Sequence, residues 1–180
     1  TRLVGQLSPR CVRRGRRRGE VLIGGPAGER HALALAMLAD LLRLEGWEVF
    51  DLGADTPANS FVHAASKIND LTAVGVSVTT SEALDGAVDV VRTLRRAIGD
   101  EVPVVLGGSA ISGPEHAHEL GADFYANGAS GFIELLNGLT RGTTDLDGDE
   151  PAKPATRTTR SRSTSGGSGR SSGSSGRSGN

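Results

Sequence analysis

Short apolar runs closed by glycine or polar residues alternate along this chain with stretches whose apolar positions recur every three or four residues. Residues 21–25 read VLIGG, a continuously apolar run of the kind that forms a strand buried on both faces. The next stretch predicts a helix from about His31 to Gly46, with glycine just past its end. WEVFDLG predicts a second strand. PANSFVHAASKIND predicts a helix with Pro57 and Asn59 at its start and Phe61, Ala64, Ala65 and Ile68 on its apolar side. TAVGVSV is a third strand, after which Ser81 is expected to cap a helix that buries Leu84, Val88, Val91 and Leu94. VPVVLGG, PEHAHEL, DFYANG and SGFIELLNGL complete the series as strand, short helix, strand and helix.

Strands alternating with helices imply right-handed crossovers and a parallel sheet covered on both faces. Five strands in one domain fit an α/β, flavodoxin-like (Rossmann-type) sheet of order 2-1-3-4-5 with helices on both faces. Ligands in such sheets bind beyond the carboxyl ends of the strands, near the switch between strands 1 and 3. The residues expected there are Gly24 to His31, Ser77 to Ser81, Gly107 to Ser109 and Ala126 to Ala129.

Charge divides the chain into three parts. Residues 1–19 hold seven Lys and Arg and residues 151–180 six, neither with an acid. All twenty-one Asp and Glu lie in residues 20–150 against seven basic residues, so a net −14 there underlies the overall −1. Residues 1–19 are expected to be a disordered basic arm, residues 20–140 the folded domain, and residues 141–180, rich in Gly, Ser and Arg, a disordered tail that cannot bury enough apolar area to fold. Weak nucleic-acid contact is the functional reading of the arms and solubilisation the plain one. Cys11 is the sole cysteine, which excludes an internal disulfide. With no leader-like apolar region and no run of about 18 apolar residues, the expected place is the cytoplasm, with no membrane contact.

Several chemistries are excluded by what stands at the strand ends. A phosphorylation site would need paired acids after strand 1, where the chain has Gly-Gly-Pro. A dinucleotide site could use the glycines of GGPAG and Asp51 as a ribose-binding acid. However, the spacing is not G-x-G-x-x-G, and Pro26 removes an N–H from the loop. His116 and His118 stand two apart, on different faces of a helix, and are expected to belong to a solvated surface. His63 is expected to be a structural histidine.

Glu29 and His31 remain, two residues apart at the start of the first helix. The positive end of a helix favours a neutral, metal-binding imidazole. A carboxylate accepting the other ring N–H would fix the tautomer and raise the basicity of the metal-facing nitrogen. One histidine cannot hold a bare metal ion, but it can be the axial ligand of a metal already held in a macrocycle.

Residues 20–140 resemble the cobalamin (vitamin B12)-binding domain family. The family's fingerprint has acid-x-His-x-x-Gly after strand 1, Ser-x-Leu after strand 3 and Gly-Gly after strand 4. This chain has Glu29-Arg30-His31-Ala32-Leu33-Ala34, Ser77-Val78-Thr79 and Gly107-Gly108 at the matching places. Glu29 stands for the commoner Asp, Ala34 for a glycine, and Thr79 for Leu, an exchange of an apolar wall for a polar one. GWEVFDLGADTP is similar to the strand-2 region of light-sensing MerR-type B12 regulators and their stand-alone relatives.

The resemblance implies base-off/His-on binding of adenosylcobalamin or methylcobalamin, with His31 as lower ligand of cobalt and Glu29 bonded behind it. The nucleotide tail would thread between the sheet and the first helix. Ser77 would contact its benzimidazole, Ser81 would offer a further polar position, Gly107 and Gly108 would let the tail pass, and Ala129 would give a backbone contact. Arg30 belongs to the same loop. In the resembling families the other corrin face is covered by a helical bundle or a substrate barrel, and neither fits into residues 1–19. The chain alone is therefore expected to present the cofactor rather than turn over a substrate. The expected role is sensory or regulatory, through a helical-bundle or DNA-binding partner. The alternative is a corrinoid carrier or small subunit of a B12-dependent methyltransferase or mutase serving a substrate domain, and the lesser alternative a degenerate nucleotide binder.

Overall fold

The computed structural model describes residues 18–144, so the readings of residues 1–17 and 145–180 lie outside the described residues. Five strands, β1 (Glu20–Gly24), β2 (Glu48–Asp51), β3 (Leu71–Ser77), β4 (Val104–Gly107) and β5 (Phe124–Ala126), form one sheet of order β2-β1-β3-β4-β5. Every pairing is parallel. Five helices connect and follow them: α1 (Ala32–Leu44), α2 (Ala58–Ala65), α3 (Leu84–Ile98), α4 (Pro114–Glu119) and α5 (Gly128–Thr144). The architecture is the flavodoxin-like one that the alternation predicts. Its folded part extends past the boundaries drawn from composition. α5 continues to Thr144, and Arg18 donates its N–H to the Gly46 carbonyl at 3.1 Å.

Alternate residues of each strand face opposite layers. Val21 and Ile23, with Ala73 and Val105, pack under Leu35, Ala39 and Leu42 of α1 and Phe132 and Leu136 of α5. Leu22, Val74, Val76, Val104 and Leu106 face Phe61 of α2 and Ala87, Val90, Val91 and Leu94 of α3. Gly75 stands among large residues because a Cβ there would lie 2.7 Å from the Phe132 ring. α1 ends as predicted. Gly46, at φ +95, donates to the Arg43 carbonyl and Trp47 to that of Leu42, a Schellman closure.

Two local expectations change. Ser81 does not cap a helix: Ser81–Ala83 form a 3-10 turn without a side-chain cap, and α3 begins at Leu84. The buried face of α3 is Ala87, Val90, Val91 and Leu94, with Leu84 and Val88 only half-buried.

Candidate functional site

The loop from β1 to α1 is held on three sides. Gly25 donates its N–H to the Gly53 carbonyl, and Thr56 donates back to the Gly25 carbonyl at 2.9 Å. Glu29 donates its N–H to the Pro26 carbonyl at 2.9 Å. Gly25 must lack a side chain, since a Cβ would come within 2.8 Å of the Glu29 stem. On the third side, a Cβ on Gly86 would lie 2.4 Å from the Ala27 carbonyl oxygen, so α3 abuts the loop backbone directly.

This packing fully buries Glu29. Its Oε1 accepts the His31 N–H at 2.8 Å and lies 2.7 Å from His31 Nδ1. Its Oε2 accepts the Thr79 N–H at 2.5 Å and the Thr79 hydroxyl at 2.7 Å. Burial by itself would push the Glu29 carboxyl up. Hydrogen bonds from the His31 N–H and from the Thr79 hydroxyl and N–H outweigh it and hold the group down at about 2. Glu29 is therefore a buried carboxylate at neutral pH.

An ionised carboxylate has no proton to give, so each group touching it must be a donor. His31 Nδ1 consequently carries the proton in the neutral ring, and Nε2 keeps the lone pair. The Thr79 oxygen, 2.7 Å from Nδ1, completes a three-membered cluster. The His31 side chain is 60% exposed, and although it occupies the N-cap position of α1 it makes no capping bond. Its ring is therefore held by Glu29 and open at Nε2. Among the described residues no three His, Cys, Asp or Glu gather as a metal site would require. A lone, oriented imidazole suits a metal that brings its other ligands with it.

Beside this cluster a cavity of about 340 Å³ opens between α1 and α5 over the carboxyl ends of β3, β4 and β5. Leu35, Leu38 and Leu41 form its α1 wall and Phe132 part of its α5 wall. Its size and apolar lining are those of a small-ligand site. Ser77, Thr79, Gly107, Gly108 and Ala129 all line it. Arg30 and Ser81 are exposed and do not.

Three residues have other reasons for being there than the sequence suggested. Thr79 is more than a polar wall, because its hydroxyl and N–H anchor Glu29. Gly107 and Gly108 are required by the chain itself before any ligand is considered. A Cβ on Gly107 would meet the Ala126 carbonyl at 2.8 Å. Gly108 has φ +106, and a Cβ on it would meet the Val78 carbonyl at 2.2 Å.

The remaining candidates stay outside the cluster. His63 is exposed on α2 rather than structural in the core, and exposed His118 stays at the surface. His116 accepts the Ser112 N–H. Asp51 accepts the Gly53 N–H at 2.9 Å and closes its own turn, which leaves the ribose-binding role without support.

Asp55 was not anticipated. Its Oδ1 accepts the Gly28 N–H at 2.9 Å, and at φ +54 it is the one non-glycine residue with positive φ among the described residues. The polar Asp-Thr-Pro that follows Gly53-Ala54 was the available signal. Asp55→Ala is expected to cost about 1–2 kcal/mol from the lost bond and the strained backbone. It should also speed hydrogen exchange at Gly28, while Asp55→Asn, which accepts the bond and tolerates positive φ, restores both. Unchanged exchange in the alanine variant would show that Asp55 does not hold the loop.

Known proteins resemble this chain in sequence and in fold. The chain is 32% identical over 114 residues to dimethylamine corrinoid protein 3 of Methanosarcina mazei, covering 62% of this chain and 66% of that one. It is 30% identical over 118 residues to the dimethylamine corrinoid protein of Methanosarcina barkeri, covering 64% and 54%. The chain thus spans about half to two-thirds of the length of the curated relatives it matches. Its fold is that of a cobalamin-binding protein from Desulfitobacterium hafniense DCB-2, with a TM-score of 0.61 at 24% identity over 67% of this chain and 58% of the other. The model of the B12 binding domain matches residues 15–136. By this match the chain belongs to the B12-binding domain family, and its cofactor is cobalamin.

Proposed function

We propose that the chain is a corrinoid carrier. It holds cobalamin base-off and His-on, with His31 as the lower axial ligand of cobalt, and presents the opposite face to a methyltransferase partner that handles the substrate. The observation that carries this reading is the buried, ionised Glu29, which keeps a proton on His31 Nδ1 and leaves Nε2 to donate. Thr79 holds Glu29 in place. Ser77, Gly107, Gly108 and Ala129 belong to the cavity that receives the nucleotide tail, and Arg30 and Ser81 stand outside it at the surface. When bound, cobalamin supplies methyl-group transfer at its cobalt. The protein's own part is to orient the imidazole, keep its proton on the far nitrogen, and exclude water from the carboxylate.

The names of the relatives support carrier over regulator: they are corrinoid proteins for dimethylamine. The regulatory role expected from GWEVFDLGADTP has no counterpart among the proteins compared above. The test is to load the chain with methylcobalamin in darkness, desalt it, and add a thiol together with a corrinoid:thiol methyltransferase. Formation of the methyl thioether in proportion to bound cofactor is expected. Colourless protein after desalting overturns cofactor binding. A coloured protein that transfers no methyl group, yet changes oligomeric state when its adenosylcobalamin form is illuminated, overturns the carrier role in favour of the regulator.

A further inference from the structure

Helix α1 is apolar on every face. Of its thirteen residues only Asp40 and Arg43 have polar side chains, and they bond to each other at 3.2 Å. Leu35, Ala39 and Leu42 are buried against the sheet. The turn of the helix puts Leu33, Met37, Leu41 and Leu44 on the opposite side, away from the core. These four are 41–55% exposed. A helix that is apolar all round is one covered on both sides. A ligand in the cavity does not supply that cover. Met37 and Leu41 border the cavity, but Leu33 and Leu44 at the ends of the stripe do not.

The stripe is complementary to itself. When a second α1 is turned antiparallel about a two-fold axis at the level of Leu38 and Ala39, its Leu44 comes opposite Leu33 and its Leu41 opposite Met37. The same pairs recur on the other side of the axis, as a two-fold interface requires. The ends match in charge as well. Exposed Arg30 stands just before the start of α1, and Glu45 is its C-cap. Glu45 reaches Arg18 only at 3.9 Å, beyond hydrogen-bond length, so its carboxylate can still accept. An antiparallel pair brings Arg30 of each copy to the Glu45 end of the other and opposes the two helix dipoles.

We infer that this stripe is a self-association surface, through which two copies of the chain pair antiparallel along α1. The inference is independent of the proposed function. A seam one short helix long falls below the roughly 800 Å² per partner of a standard interface, so the dimer is weak and dependent on concentration. Its Kd is expected on the order of 10–100 µM.

The experiment is sedimentation velocity of the full-length apoprotein from about 1 µM to about 1 mM, a range that brackets that Kd. Monomer at the dilute end and dimer at the concentrated end are expected. Leu33→Glu and Leu44→Glu lie outside the cavity, and each places a carboxylate in the seam twice per dimer. Each should weaken association by at least roughly 10-fold, with the far-ultraviolet circular dichroism unchanged. Arg30→Glu and Glu45→Arg should each weaken it alone and restore it together, which damage to the fold would not do. A chain that stays monomeric throughout overturns the inference. So does a dimer indifferent to both leucine substitutions, because it uses another surface. A monomer that pairs only after residues 1–17 are removed assigns the stripe to that segment of the same chain and overturns it too.

Discussion

His31→Ala is expected to bind cobalamin without the spectral shift of histidine coordination, and to bind it on the order of 100-fold more weakly, the upper end of what loss of a metal's supporting groups costs. The fold should survive. The His31 side chain is mostly exposed, and the substitution keeps the backbone N–H that Glu29 accepts. Glu29 also keeps both donors from Thr79. Losing the Nδ1 bond to the buried Glu29 carboxylate is expected to cost about 1–2 kcal/mol. Absorption spectra recorded with urea unfolding of the apoprotein separate the two effects. A variant that keeps the wild-type spectrum and affinity would remove His31 from the cobalt.

The second large effect is at Glu29. In Glu29→Gln one oxygen becomes an amide nitrogen, so a donor faces either the His31 N–H or the Thr79 N–H and hydroxyl. A buried donor without an acceptor costs about 1–3 kcal/mol, and more where a charged hydrogen bond is lost. A destabilisation of about 3 kcal/mol is expected. His-on binding should also weaken by roughly 10- to 100-fold, because the ring loses the carboxylate that raises the basicity of Nε2.

The pH dependence has a definite sign. The Glu29 carboxyl lies at about 2 in the folded protein against an ordinary 4.5. As pH falls the unfolded chain takes up the proton first. The contribution, about 3 kcal/mol, is therefore complete above pH 4.5 and disappears as pH falls from there toward 2. Other carboxylates titrate in the same range, so the informative quantity is the difference in urea stability between the wild-type apoprotein and Glu29→Gln. That difference should be constant near neutrality and shrink below pH 4.5. A difference that stays flat down to pH 3 would mean that Glu29 is not held as a buried anion.

Some of this was legible in the residues and some was not, for reasons that particular positions make clear. Glu29 and His31 could be paired by inspection because they are two apart and share one loop. Thr79 lies fifty residues away and reaches Glu29 only because β3 is the neighbour of β1. Read in line, it was a departure from an expected leucine. Ser81 has the residue type of a cap but sits in a 3-10 turn that needs none. Asp55 reads as an ordinary turn acid, and only its positive φ and its bond to Gly28 show that it secures the histidine loop.

The alternation of apolar strands with periodic helices determined the fold class, the strand order that goes with it, and the sheet edge where a ligand would bind. These depend on local burial patterns and on the handedness of crossovers, which act along the chain. The tertiary structure alone decided which groups meet: that Glu29 is sealed from water, that Thr79 completes its bonds, and that the space between α1 and α5 is lined almost wholly by apolar groups. Each of these depends on distances between segments remote in sequence. Burial, ionisation and hydrogen-bond satisfaction are properties of such assembled surroundings, and no single stretch of residues contains them.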